Sequence, residues 1–301
     1  MDAIDQIRVN FDPSQLILLN WCLAFLMFGV ALDIQISDFK KLWKQPKITL
    51  IALSSQLILL PILTLILAKI IDPGPSLAVG MVLIGVCPGG NVSNYMVHMA
   101  KANAALSVTL TSITTMMAAI LTPLAFAFWT GFLELPESLR QEINIDPLAM
   151  FKTISLLIVL PLVVGLLMQH FIPRVVDRIK KVVGILSLLI FLGFVIFAIL
   201  GNISNIKDHL AKVFFIVLIH NTLGFLMGYF WGKFTGLEER ESRTISIETG
   251  IQNSGLGLIL IFNFFGGLGG MAIIAAWWGI WHLISGFGLA MYWRNKSVDS
   301  N

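Results

Sequence analysis

The chain has 301 residues, of which 57% are hydrophobic and only 12% charged, with a net charge of +3. A soluble domain carries about 25% charged residues, so these proportions exclude a water-soluble globule and indicate an integral membrane protein. So small a positive excess is no nucleic-acid footprint. The two cysteines, Cys22 and Cys87, lie inside apolar runs and give neither a disulfide framework nor metal-ligand spacing.

The length divides naturally into spans of about 20 residues joined by short loops. Nine apolar segments are expected, at 15–34, 48–71, 76–100, 104–131, 148–170, 182–203, 210–233, 244–265 and 271–293. Their apolar residues continue round every face, as in spans rather than amphipathic surface helices. The N-terminus is acidic and no small-residue cleavage site follows the first run, so that run reads as a retained span. The expected breaks are 40–47, 72–75, 101–103, 134–147, 173–181, 203–209, 235–243 and 266–270. Basic residues sort these breaks. One side holds Lys40, Lys41, Lys44, Lys47, Lys101, Arg174, Arg178, Lys180, Lys181, Lys233, Arg240, Arg243, Arg294 and Lys296. The other has only Arg8, Lys69, Arg140, Lys152, Lys207 and Lys212. The rule that cytoplasmic loops are the more basic puts the N-terminus outside and the C-terminus in the cytoplasm. Trp277, Trp278, Trp281 and Trp293 read as interfacial anchors and packing. Pro61, Pro123 and Pro161 read as ordinary kinks without chemistry.

In the eighth span stands Glu248, a carboxylate at lipid depth, where a bare charge costs about 2.5 kcal/mol or more. Thr249, Gln252, Asn253 and Ser254 surround it, with Gly250 and Gly255 weakening the helix. The expectation is a broken helix with Glu248 facing a cation. The third span carries Cys87-Pro88-Gly89-Gly90-Asn91-Val92-Ser93-Asn94. Pro88 removes a backbone donor, so the chain should unwind near Pro88–Gly90 and restart near Asn91. Irregular backbone at this depth needs shielding by protein or a water-filled cavity. The two interrupted spans run in opposite directions, which is the sequence pointer to an inverted-repeat transporter. Half-helix N-termini favour an anion and C-terminal ends a cation. The oxygens of Ser93, Asn94, Glu248 and Gln252 suit a hard cation such as Na+. The fourth span adds Ser107, Thr109, Thr111, Ser112, Thr114 and Thr115, and Ser107 and Thr111 share one helical face.

Cys87-Pro88-Gly89-Gly90 with Ser93-Asn94, and Glu248-x-Gly250-x-Gln252-Asn253-Ser254-Gly255, resemble the bile acid:sodium symporter family. Phe28-Gly29, Ser37-Asp38-Phe39, Trp281-His282 and Ser285-Gly286 extend the resemblance over nearly the whole chain. The resemblance implies an all-α integral membrane protein with nine transmembrane helices. An inverted-repeat core with two crossing broken helices would work against a panel domain. The core would be 76–131 and 210–265, with 48–71 and 271–293 flanking it. The panel would be 15–34 with part of 148–203. Bacterial members often have ten spans; this chain looks like the nine-span arrangement of some animal members.

The resemblance also implies residues. A first sodium site would use Ser93, Asn94, Ser107, Thr111 and Glu248. A second would use Gln56, Glu248, the carbonyls of Thr249 and Ile251, and Gln252. Asn91, Asn253 and His282 would meet the substrate. Many bacterial relatives carry Thr where Asn91 stands, and an Asn where Leu283 stands, and these departures bear on a bile-acid substrate. The expected activity is Na+-coupled symport of an organic anion, bile-acid-like or a small carboxylate, in the cell membrane, using two Na+ ions. Lipid would surround the protein, nucleic acid would have no part, and no oligomer is required. A proton-coupled transporter or ion antiporter of the same architecture is the alternative. An intramembrane enzyme built on His98, His220, Glu248 or His282 is remote, because no His/Glu pair has metal-ligand spacing.

Overall fold

The computed structural model describes residues 3–6, 8, 13–32, 46–201 and 209–296. Ser37-Asp38-Phe39, the basic residues Lys40, Lys41 and Lys44, and the 203–209 break apart from His209 lie outside the described residues. Among the described residues the protein is all helix, with two isolated backbone bridges, Arg8 with Leu268 and Gly89 with Gln252. The helices are α1 Ala3–Gln6, α2 Pro13–Ala31, α3 Pro46–Ile71, α4 Pro75–Val86, α5 Val92–Met99, α6 Ala104–Thr130 and α7 Glu137–Ile143. They continue with α8 Pro147–Phe171, α9 Pro173–Gly201, α10 Leu210–Phe234, α11 Glu239–Gly250, α12 Ser254–Phe264 and α13 Gly269–Arg294. Five of them, α3, α6, α8, α10 and α13, are long and apolar enough to cross a membrane.

The expected third and eighth spans are each two short helices, α4 with α5 and α11 with α12. Cys87, ahead of Pro88, is extended (φ −68°, ψ 153°), as a residue before proline prefers. Ile251 is extended as well (φ −109°, ψ 104°).

The expected 173–181 break is corrected by the structure. The basic stretch forms the first turns of α9, which starts at Pro173 directly after Ile172. Proline at the first helical position is pre-set for a helix start, and Arg and Lys are good helix formers. Pro61 and Pro161 also do more than kink. Each follows a widened π turn, Ser55–Leu59 and Ser155–Val159. The widened turn absorbs the clash of the proline ring with the turn before it. Gln56 stands on the first of these turns.

The described connections gather at two ends. At one, Arg8 pairs with both oxygens of Glu142 (2.8 and 2.9 Å). Asp5 there accepts from the Ser76 amide, and Arg8 bridges to Leu268. At the other, Arg240 donates to the Lys101 carbonyl, Asn103 to Glu241, and buried Arg243 to Glu239 and the Trp293 carbonyl. The breaks at each end belong to one of the two sets that the basic residues separate. Between the ends, α4, α12 and α13 form the centre of the apolar core. α10 lies close along α11, where a Cβ on Gly228 would be 2.8 Å from the Ile245 carbonyl oxygen. Such close backbones are typical of helix pairs in membranes. The tryptophans do not form one interfacial patch. Trp278 is fully buried, its ring edge-on to His220, and Trp293 lies under Arg243.

Candidate functional site

The two breaks cross and complete each other. The Gly90 amide donates to the Ile251 carbonyl (2.9 Å) and the Asn253 amide to the Pro88 carbonyl (2.8 Å). Extended residues in each break thus satisfy backbone groups that would otherwise be orphaned in hydrocarbon. The close approach explains Gly90, where a Cβ would lie 3.2 Å from the Gln252 carbonyl oxygen.

Glu248 is 2% exposed, on the last turn of α11. Its Oε1 accepts from Ser93 Oγ on α5 and Ser107 Oγ on α6, both at 2.5 Å, and its Oε2 from Thr111 Oγ1 at 3.0 Å. Ser107 and Thr111 also reach Asn94 Oδ1, at 2.7 and 3.3 Å. Ser93, Ser107 and Thr111 therefore meet on one carboxylate, and Asn94 joins them through the Ser107 and Thr111 hydroxyls, the five residues coming from three helices. Their contacting atoms are all oxygens, the donor set a hard cation takes. Of the other hydroxyls on α6, Thr109, Ser112 and Thr114 bond back to their own helix, Thr122 donates to the Val86 carbonyl, and Thr115 is buried without a partner.

The second set is also adjacent. Gln56 Nε2 donates to the Glu248 carbonyl (3.2 Å) and Gln252 Nε2 to the Thr249 carbonyl (2.9 Å), while the Ile251 carbonyl receives Gly90. Each of these carbonyls retains a second lone pair. Gln252 Oε1 is buried with no partner. Gly89 lies between the sets, where a Cβ would be 2.9 Å from Gln56 Nε2 and 3.2 Å from Glu248 Oε2. Three residues at this site were not anticipated. Ser55 bonds Thr249 across the helices (2.8 Å), and Asn221 Nδ2 holds the Gly250 carbonyl (2.7 Å) with Ser285 behind it. Asn221 is a lone amide in an apolar span, and that polarity was its readable signal.

A cavity of about 530 Å³ opens on the crossing; Gln252 lines it and Glu248 does not. Asn91, Asn253 and His282 all line it, with Leu26 and Val30 of α2 and Lys180, Lys181 and Ile185 of α9. Asn253 caps α12 by accepting from the Leu256 amide (3.0 Å). Asn91 precedes α5 without capping it, and its Oδ1 is buried and unpartnered, as is His282 Nδ1.

The profile of the Sodium Bile acid symporter family matches residues 20–209. The chain belongs to that family. The family is one of sodium-dependent transporters, so this member is a multi-pass membrane transporter that uses Na+, and not an enzyme. Among its relatives is a Bacillus subtilis protein named "Uncharacterized sodium-dependent transporter YocS", 32% identical over 91% of this chain and 82% of its own. "Probable sodium/metabolite cotransporter BASS1, chloroplastic" of Arabidopsis thaliana is 30% identical over 92% of this chain and 68% of its own. The rice protein "Probable sodium/metabolite cotransporter BASS2, chloroplastic" is 28% identical over 93% of this chain and 64% of its own.

Proposed function

We propose that this family member is a symporter that couples Na+ entry to uptake of an organic anion by alternating access. The observation that carries the reading is the ring of oxygens from Ser93, Asn94, Ser107 and Thr111 about buried Glu248. One Na+ binds there, and a second binds between Gln56, Glu248, the carbonyls of Thr249 and Ile251, and Gln252. A proton on Glu248 would need no such gathering of oxygens, which disfavours the proton-coupled alternative.

The anion sits on the cavity face, at the N-termini of α5 and α12, whose partial positive charge favours it. Asn91, Asn253 and His282 orient it there. Cation and anion therefore bind different faces of one pair of breaks. Na+ draws α5, α6 and α11 together and favours the arrangement in which the α5 and α12 N-termini are set for the anion. The coupling is the differential affinity of the ions for that state. In this reading the chain has nine spans, with an inverted-repeat core of 76–131 and 210–265 joined by 48–71 and 271–293. The panel is formed by 15–34 and part of 148–203. The end joined through Arg8 and Glu142 is extracellular, and Lys180 and Lys181 mark the cytoplasmic mouth of the cavity.

The test is uptake into proteoliposomes driven by a Na+ gradient. Glu248→Gln and Gln252→Ala each abolish Na+-driven uptake while the purified protein stays monodisperse in detergent. Unchanged Na+ dependence in Glu248→Gln would remove the proposed ion sites.

A further inference from the structure

We propose that Lys181 is a specificity-determining residue that selects organic dianions, an inference that rests on the reading of the protein as an organic-anion symporter. The cavity has two positive regions on separate walls. One is the crossing, where the N-termini of α5 and α12 arrive; the other is α9, which contributes Lys180 and Lys181. No Asp or Glu is among the described residues that line the cavity. Lys180 is engaged by Asp177 one helical turn back, at 2.9 Å. Lys181 has no ion-pair partner among the described residues, and it is the cation left to meet a ligand.

The crossing is independently marked as a ligand-binding wall. His282 Nδ1 is unpartnered on a residue 6% exposed that lines the cavity. Buried polar atoms in native proteins almost always have partners, so this one awaits a partner. The rest of the lining is mostly apolar, with Leu26, Val30, Ile185 and Leu283 beside Tyr95 and Ser187. A monocarboxylate meets one positive wall and leaves the other unused. A dianion with an apolar middle meets both, with one anionic group at the half-helix N-termini and the other at Lys181.

The experiment compares matched monocarboxylates and dicarboxylates, butyrate through decanoate against succinate through sebacate. The readout is the Na+-dependent rise in Tm of the full chain in a neutral maltoside detergent, which removes lipid phosphate as a competing partner for the lysine. At the fitting chain length the dicarboxylate binds at least about tenfold tighter than its monocarboxylate, a difference of about 1.4 kcal/mol. Lys181→Gln erases that preference and leaves monocarboxylate binding and its Na+ dependence in place, while Lys181→Arg keeps the preference. Equal binding of the two series by the wild-type chain overturns the inference, as does a preference that survives Lys181→Gln. An effect of Lys181→Gln seen only after adding anionic lipid assigns the lysine to headgroups and also overturns it. Absence of Na+-dependent binding in both series overturns the symporter reading itself, and this inference with it.

Discussion

On one face of the crossing, Ser93, Ser107 and Thr111 all donate to Glu248. On the other, Asn91 and His282 each carry an unpartnered polar atom beside a cavity of about 530 Å³. The same two breaks build both faces, yet the Glu248 carboxylate is internally satisfied and the polar groups of the cavity are not. The difference follows from what each must bind. A small ion is enclosed, so its ligands must already be together, and their mutual hydrogen bonds hold them in its absence. An organic anion varies in shape and brings its own hydrogen-bonding groups, so its partners stay unpaired until it arrives. The ion face therefore tolerates less change than the cavity face.

The sharpest way to break this comparison is Ser107→Ala. It removes the hydroxyl that lies between Glu248 and Asn94 and whose one proton they share, and a bond to a charged group contributes about 1.5–3 kcal/mol. The Na+ concentration for half-maximal uptake should rise about ten- to a hundredfold, with the substrate's own selectivity unchanged. An unaltered Na+ requirement would mean that the ring around Glu248 is only packing. A smaller effect is expected from Gly89→Ala. The new methyl would crowd Gln56 and Glu248 and costs about 1–3 kcal/mol as overpacking. It should lower both Tm and Na+ affinity, read by a thermal-shift titration with NaCl. The smallest is Asn253→Ala on the cavity face. It deletes the cap on α12, at about 1 kcal/mol. Substrate affinity should fall about fivefold while half-saturation by Na+ stays put; a shift in the Na+ curve instead would erase the distinction between the faces.

The ion face was largely legible in the sequence because charge and proline are conspicuous in hydrocarbon. Glu248 had to be compensated, and Pro88 with two glycines had to interrupt a helix. Ser93, Ser107 and Thr111 needed the resemblance as well, since hydroxyls in spans equally well bond their own helix, as Thr109 and Ser112 do. The cavity face was less legible. Lys180 and Lys181 read as an interfacial basic run, and only the continuation of α9 back to Pro173 brings them to the cavity wall. The widened turn under Gln56 was hidden for a related reason: proline announces a disturbance without saying whether the chain bends or takes in an extra residue. Asn221 went unread because a lone amide gives no hint of the carbonyl it will hold.

The paired amides and carbonyls of the crossing also constrain biosynthesis. Gly90 emerges from the ribosome and enters the bilayer long before Ile251 exists to receive its amide proton. Until then the third span has no partner for its unwound residues, and a stopgap from lipid headgroup, water or translocon must shield them. The shape of the first break is therefore settled late, by a segment near the other end of the chain, and neither half can acquire its final form alone.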